Sequence, residues 1–496
     1  MYYVLLEGHN YSYEIYEMVT LYFPQEKITT INSEDELPVY CRYIKSFISV
    51  NEDKIKGSCF LYHVESGVKN LISSSEESLP IDENIKKLTK HCVKITAYNM
   101  LKNLTGVNMP WGILVGIRPA KIVNDLKSKD SSIDEIKDIL GDKYRVREDK
   151  INLVTKVSDI SYPLINTDSK NISIYIGIPF CPTRCVYCSF AAYPIKPYEK
   201  YISSYIEALK YEMDELSRFI DGKFKIDTLY IGGGTPTSLD DDSFYEVINH
   251  AAQKFHVKSL KEFTVEAGRP DTITKEKLDI MHEHMVDRIS INPQTMNDDT
   301  LKRIGRLHSV KDIIDKYELA RKYNFNSINM DMIVGLPGET EEDIKNTLDE
   351  IIKLNPENIT VHSMSLKRAS KLKEEIISGK EDNLNSDNIY DALMEYIYTN
   401  LFKNHYTPYY MYRQKKSAGN LENVGYCIKD KECLYNIQMI EEKETIIGIG
   451  ADSVTKMVFT NENRIERYAN KKDLTEYINT IKESTEKKIK ALGMLT

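Results

Sequence analysis

The clearest signal in this chain is a change of hydrophobic period along it. Between about Asn171 and Ser365, short apolar, β-branched runs alternate with longer stretches of helical period. The runs are NISIYIGI, IDTLYIGG, EFTVEAG, DRISIN, SINMDMIVG and ENITVHSM, and the stretches between them include YEKYISSYIEALKYEMDELSRFI and DDSFYEVINHAAQKF. After Pro337 comes GETEEDIKNTLDEIIKL, in which Thr340 can cap a helix and Asp343 can close the capping box. There Ile344, Leu348, Ile351 and Ile352 mark the buried face. Six strand–helix units of this kind predict a parallel sheet with helices outside it, open or rolled into a partial barrel.

The preceding residues follow a different rhythm. YYVLLEG reads as a strand, YEIYEMVTLYF as a helix, SFISVNEDKIKGSCFLYHVES as a hairpin and IDENIKKLTKHCVKITAYNMLKNL as a further helix. Residues 1–165 are therefore expected to form a separate α+β domain, residues 166–380 the β/α barrel and residues 381–496 an α/β extension packed on it. The extension offers a helical SDNIYDALMEYIYTNLFKN, a strand-like TPYYMYRQ and a glycine-bearing IIGIGADS.

Composition narrows the class. A chain of 496 residues exceeds one ordinary core, and 41% apolar with 28% charged residues is the balance of a soluble globular protein. No apolar stretch reaches membrane-spanning length, and MYYVLLEGHNYSYE has no basic leader, so a cytoplasmic protein without a membrane partner is expected. A net charge of −9 with dispersed Lys and Arg argues against nucleic acid as a partner. A monomer is the expectation. Cys41, Cys59, Cys92, Cys427 and Cys433 are scattered and form no disulfide framework.

The other three cysteines are not scattered. Cys181, Cys185 and Cys188 stand at i, i+4 and i+7 in YIGIPFCPTRCVYCSF, just beyond the first barrel strand. Packing explains three neighbouring thiols poorly. A structural zinc site wants four ligands, and no Cys or His follows Cys188 until His250, so zinc would need a remote fourth ligand. Three thiolates around a [4Fe–4S] cluster leave one iron free of protein, open to a substrate-like cofactor.

Cys-x3-Cys-x2-Cys with the aromatic Tyr187 before its last cysteine resembles the signature of the radical S-adenosylmethionine (SAM) superfamily. The whole string, followed in order by GGGTPTSL, EFTVEAGRPD, RISINPQTM, LKRIGRLH, DMIVGLPGET and GIGADS over about residues 171–455, resembles the oxygen-independent coproporphyrinogen III oxidase family. Within it the chain is most similar to the HemZ-type branch, which carries an extra N-terminal domain. The resemblance implies an α/β fold built on a partial (β/α)6 barrel. It implies a [4Fe–4S] cluster on Cys181, Cys185 and Cys188, and one or two molecules of SAM. Tyr175, Gly233, Gly234 and Thr235 match family SAM contacts, with Gly232–Gly234 as a wall free of Cβ atoms. Glu266, at the end of the third strand, matches a glutamate that meets the ribose hydroxyls or ammonium of SAM. Gln294, Arg306 and Asp331 match residues lining the cofactor chamber, and Met364 aligns more loosely.

Read from the residues alone, Arg306 and Asp331 could instead form a structural ion pair, and Gln294 a buried hydrogen bond. His308 and His362 could serve as acid–base groups or as structural histidines. Arg413, Lys415, Arg118 and Lys121, each near aromatics, could grip the carboxylates of a flat macrocycle or make a solvated face. The implied reaction is radical oxidative decarboxylation of two propionates of coproporphyrinogen III to vinyls. It gives protoporphyrinogen IX in haem biosynthesis, with an electron donor and an acceptor as further partners. Two positions depart from the family pattern. Gly177 replaces its histidine, and Phe190 stands where the best-established oxidases carry a fourth cysteine. Relatives without that cysteine include a haem-carrying chaperone group and other tetrapyrrole-modifying radical SAM enzymes, and both remain alternatives.

Overall fold

The computed structural model describes residues 1–495 apart from 82–83, 117, 189, 191, 366–386 and 415–420. It divides into two compact units, one of Met1–Ile117 with Asp125–Leu153, the other of Arg118–Asn124 with Val154–Thr496.

The first unit holds a five-stranded sheet of order β2-β1-β3-β4-β5, with β1 Tyr2–Glu7, β2 Ile28–Ile31, β3 Tyr40–Val50, β4 Lys54–Glu65 and β5 Val68–Pro80. β1 runs parallel to both neighbours, while β3, β4 and β5 form an antiparallel meander. Alternation along the strands buries Ile44, Ile48, Ile55, Cys59 and Leu61 in one core with residues of the helices Ser12–Tyr22 and Ile85–Thr105. Gly57 allows that approach, since a Cβ there would lie 2.6 Å from Cys92 Sγ. The second helix is capped by Asn84, whose side chain accepts from the Lys87 amide, and ends on Gly106 at φ +72°.

The second unit is built on six parallel strands that follow one another in chain order: β6 Asn171–Ile178, β9 Lys225–Gly233, β10 Glu262–Glu266, β11 Arg288–Ser290, β12 Ser327–Val334 and β13 Asn358–Ser363. Between the first two lies a small ribbon of β7 Phe180–Cys181 and β8 Tyr193–Pro194. This is the α/β architecture of a partial (β/α)6 barrel. The later chain extends the sheet at both ends. β15 Glu422–Cys427 pairs antiparallel with β13, and β14 Thr407–Arg413 lies outside it. At the other end β16 Thr445–Ile449 runs parallel to β6, followed by antiparallel β17 Val454–Phe459 and β18 Arg464–Ala469.

The outer helices bury one stripe each. Ile202–Ile220 turns Tyr205, Ile206, Leu209, Met213 and Leu216 inward at three- and four-residue intervals. Glu341–Leu354 starts with the capping box of Thr340 and Asp343 and buries Ile344, Leu348 and Ile351. Ile352 is only half-buried, because a full turn on from Leu348 the stripe has drifted toward its edge. Among the described residues no helix is long and apolar enough to cross a membrane.

Candidate functional site

The candidate residues gather where the parallel strands end at their C-termini. After β6 the chain passes Pro179 and β7 into the cysteine loop, and the turn after β9 is fastened to it. Gly234 N donates to Ile178 O at 2.8 Å, and Thr235 N donates to Phe180 O at 2.7 Å. A Cβ on Gly234 would stand 2.6 Å from Phe180 O and 3.1 Å from Cys181 Sγ, so only glycine fits beside the first cysteine. Thr235 Oγ1 lies 3.5 Å from Cys181 Sγ.

The rest of the loop docks on the segment following the helix Asp298–Arg303. Val186 N donates to Ile304 O at 3.2 Å, Thr183 Oγ1 donates to Gly305 O at 2.8 Å, and Cys188 N donates to Cys185 O at 3.1 Å. Two buried arginines stand beside the sulfurs. Arg269 Nη1 lies 3.8 Å from Cys185 Sγ and donates to Thr183 Oγ1 at 3.1 Å. Arg306 hydrogen-bonds Tyr187 and interacts with Cys185, which keeps its guanidinium charged against the cost of burial. Burial pushes the Cys181 thiol up to about 11, and the other two sulfurs add to that rise. Burial raises Cys188 as well.

These thiols are near enough to influence one another, yet among the described residues no three His, Cys, Asp or Glu groups converge as they would around a single ion. Iron–sulfur clusters are held by Cys thiolates, and a bound cation deprotonates such thiols outright. The donor set therefore fits a cluster bound through three cysteines.

A second group of residues surrounds Glu266, the last residue of β10. Its Oε1 accepts from the Tyr230 hydroxyl at 2.5 Å and its Oε2 from Gly233 N at 3.1 Å. Gly233 has φ +109°, and a Cβ on Gly232 would fall 2.7 Å from Glu266 Cδ. Burial raises the Glu266 carboxyl to about 7, with Asp331 adding to the rise. The Tyr175 ring stacks with Tyr230 and Tyr435 at centroid distances of 6.1 and 6.2 Å.

The third group lies around β11 and β12. Gln294, four residues beyond β11, is held at φ +68° by two backbone bonds to β12, from its N to Asp331 O at 2.9 Å and from Ile333 N to its O at 3.0 Å. A left-handed glutamine is uncommon, and these two bonds hold it in place. Its Oε1 is buried without a partner among the described residues, as is Arg306 Nε, while Arg306 Nη1 donates to Asn292 O at 2.5 Å. Orphaned buried polar atoms are costly unless a ligand satisfies them, which is the second sign that a polar cofactor belongs here. Asp331 lies within β12, three residues short of its end. It faces His362 Nε2 at 3.6 Å and accepts from Asn329 Nδ2 at 2.7 Å. Burial would raise this carboxyl, but His362 reverses the effect and holds it below its ordinary value. Met364 follows β13 and is buried, its N donating to Val334 O at 2.9 Å.

The paired donors of Arg306 thus go to backbone carbonyls and Tyr187, and Asp331 takes His362 as its ionic partner, rather than the two pairing with each other. His308 Nδ1 donates to Asp271 Oδ1 at 3.0 Å, and Asp271 is ion-paired with Arg269, which makes His308 part of the scaffold behind Cys185. Arg118 and Lys121 are not at this site. They lie against Glu442 together with Lys456 and Arg467, just ahead of β16 and so at the opposite end of the strands. Arg413 is buried rather than on a solvated face, and burial lowers it to about 10. Lys415 lies outside the described residues. At the two departures from the family pattern, a Cβ on Gly177 would meet nothing closer than 3.4 Å, and Phe190 is 68% exposed.

Three participants escape a reading of the sequence. Arg269 sits inside EAGRPD and Tyr230 inside LYIGGG, but only the fold brings one to a sulfur and the other to Glu266. Asn292, within INPQTM, supplies the carbonyl that anchors Arg306.

Comparison with known proteins adds a lineage to this geometry. The sequence profile of the radical SAM superfamily matches residues 175–351. The chain is 40% identical over 418 residues to the oxygen-independent coproporphyrinogen-III oxidase-like protein HemZ of Bacillus subtilis, covering 82% of each. It is 37% identical over 194 residues to the heme chaperone HemW of the same organism, covering 39% of this chain and 50% of that one. Among solved structures, coproporphyrinogen III oxidase (HemN) from Escherichia coli, a radical SAM enzyme, matches with a TM-score of 0.51 at 19% identity. The match covers 66% of this chain and 73% of that one, which supports the fold.

Proposed function

Since the chain belongs to the radical SAM superfamily, among the oxygen-independent coproporphyrinogen-III oxidase-like proteins, whose cofactors are a [4Fe–4S] cluster and SAM, we propose that it oxidatively decarboxylates coproporphyrinogen III. Two propionates become vinyls and protoporphyrinogen IX results. The observation that carries this reading is the meeting of the cysteine loop, the glycine wall and the buried polar groups of successive strands at one end of one barrel.

Cys181, Cys185 and Cys188 would hold the cluster. Tyr175, Gly233, Gly234, Thr235, Glu266, Gln294, Arg306, Asp331 and Met364 would surround SAM. Together the two cofactors, when bound, supply hydrogen-atom abstraction at an unactivated carbon. The chain's own part is to place and to shield. Glu266 offers an acceptor edge to hydroxyl or ammonium groups, and Gln294 Oε1 offers another. Gly232–Gly234 let the ligand touch backbone directly, and Arg269 and Arg306 offset negative charge gathered at the sulfurs.

The test is anaerobic reconstitution followed by incubation with SAM, a reductant and coproporphyrinogen III. Mass analysis should show loss of one carboxyl group and one hydrogen for each vinyl formed. SAM cleavage without any decarboxylated porphyrinogen, even with cell extract as electron acceptor, would exclude this substrate. A second reading, haem carriage, draws on the similarity to a heme chaperone and on Phe190 in place of a fourth cysteine. It predicts tight haem binding and transfer to an acceptor, without porphyrinogen turnover.

A further inference from the structure

Tyr230 has no place in the reading above, yet it makes a short contact within the site. It is the fourth residue from the end of β9, two before Gly232, and its hydroxyl donates to Glu266 Oε1 at 2.5 Å. Its ring is held in a three-ring group, stacked 4.4 Å from Tyr435 and 6.1 Å from Tyr175. The Gly233 amide takes the other carboxylate oxygen at 3.1 Å. The carboxylate is therefore gripped from two sides by one strand. Each oxygen still has a lone pair to spare, since a carboxylate can accept about four hydrogen bonds in all.

We propose that Tyr230 is the positioning residue of the cofactor chamber, its hydroxyl fixing Glu266 as an ionised acceptor edge for the hydroxyls or ammonium of SAM. The proposal rests on the cofactor reading given above and adds a residue to it. The charge environment agrees with the geometry. Burial and Asp331 on β12 oppose ionisation of Glu266, while the Tyr230 hydroxyl and the Gly233 amide are the groups that favour it. Tyr175 on β6 and Tyr435 on the helix Leu434–Glu441 also face the carboxylate and are neutral, their phenols raised chiefly by burial. No cation is among these neighbours, so a phenol and an amide carry the whole task. Without the phenol, Glu266 is expected to hold its proton through neutral pH and to present a donor where the cofactor needs an acceptor.

The experiment uses cluster-loaded protein and measures SAM binding by equilibrium dialysis from about pH 6 to pH 9. Tyr230→Phe keeps the ring and its stacking and removes only the hydroxyl. It should bind SAM about tenfold more weakly near pH 7.5, with the deficit shrinking toward pH 9 as Glu266 ionises. Tyr435→Phe, which alters the same stack but no bond to Glu266, should stay within twofold of wild type throughout. A second readout needs no cofactor. Infrared spectra of Tyr230→Phe near pH 7.5 should gain a protonated-carboxyl band that the Tyr230→Phe/Glu266→Gln double variant lacks. Normal wild-type binding with Tyr230→Phe unchanged, or with Tyr435→Phe equally impaired, would overturn this proposal alone. No SAM binding by the cluster-loaded wild type would overturn the cofactor reading and this proposal with it.

Discussion

A buried ion pair outside the site should decide how firmly the cluster strand is held. Lys488, on the last helix Leu474–Leu492, donates to Glu212 on the helix Ile202–Ile220, and both side chains are 0% exposed. Glu212 also accepts from Gly450 N at 2.9 Å, from Asn470 Nδ2 at 2.9 Å and from the Tyr477 hydroxyl at 2.7 Å. Burial pushes the Lys488 ammonium downward and Glu212 opposes the shift. Breaking such a pair from one side costs about 3–5 kcal/mol, because a charge is left in the interior. Glu212→Gln should sit at the upper end, since it strands an ammonium with little beyond the Gly448 carbonyl. Lys488→Met should sit at the lower end, as three donors remain on the carboxylate. The double variant should be less destabilised than the sum of the two by about 1–3 kcal/mol.

The consequence reaches the site through Gly450. Its φ is +96° and a Cβ there would press to 2.4 Å from Gly177 O, which also accepts from the Tyr205 hydroxyl at 2.5 Å. Gly177 lies four residues before Cys181 on β6. Hydrogen exchange over residues 445–452 and 474–492 would measure the loss, together with the rate of iron release from reconstituted protein. Protection in Glu212→Gln within about 1 kcal/mol of wild type, or strict additivity in the double variant, would refute the argument.

Three shorter predictions follow. Gly234→Ala places a methyl against the Phe180 carbonyl and Cys181 Sγ, so reconstituted iron content should fall at least severalfold while circular dichroism is unchanged. Arg269→Met strips Asp271 of its buried partner and Cys185 of a neighbouring cation; thermal unfolding should show a loss of about 3 kcal/mol or more, and cluster loss on dilution should quicken. Glu442 is held down to about 2 by Arg118, Lys456 and Arg467 despite burial, so the stability it contributes is full above its unfolded value and disappears as pH falls through its folded one. Glu442→Gln should therefore destabilise the protein at neutral pH and flatten the stability curve between about pH 4.5 and 2, measured by urea unfolding at each pH.

What could be read ahead of the structure was what is local. Six strand runs, the Thr340–Asp343 capping box and the hairpin of β3 and β4 each depend on residues a few positions apart, and propensity, periodicity and capping act over that range. The cysteine spacing and the glycine run are likewise local, and the structure joins them through Gly234. Pairing across the chain was not legible. β16 lies beside β6 and β15 beside β13, and neither run differs in composition from a strand that would pair elsewhere. Ionic partners were equally hidden. Arg118 and Lys121 stand near aromatics in the sequence, yet the carboxylate they meet is Glu442, brought to them by the fold. Arg413 follows a polar-looking pattern into a buried position that only its neighbours explain.

The same long-range packing also places the side chains beneath Glu266. The helix Leu434–Glu441 presents its first amides to the start of β10, where Glu262 accepts from Leu434 N at 2.8 Å and from Tyr435 N at 3.1 Å. Glu262 thus serves as a cap from another strand and fixes the helix against the N-terminal end of the barrel. From there Tyr435 reaches the rings of Tyr230 and Tyr175 and shares a core with Tyr409, Tyr410, Cys427 and Ile446. Packed side chains therefore stand on the N-terminal side of the Tyr230–Glu266 contact. The cysteine loop, the glycine wall and Gln294 are arrayed at the opposite, C-terminal ends of the strands, the side on which the proposed substrate would be expected to bind. The tyrosine stack then lies beneath Glu266. It screens the carboxylate from water on that side, and a carboxylate with no cation near it among the described residues stays a strong acceptor only where water does not compete for it.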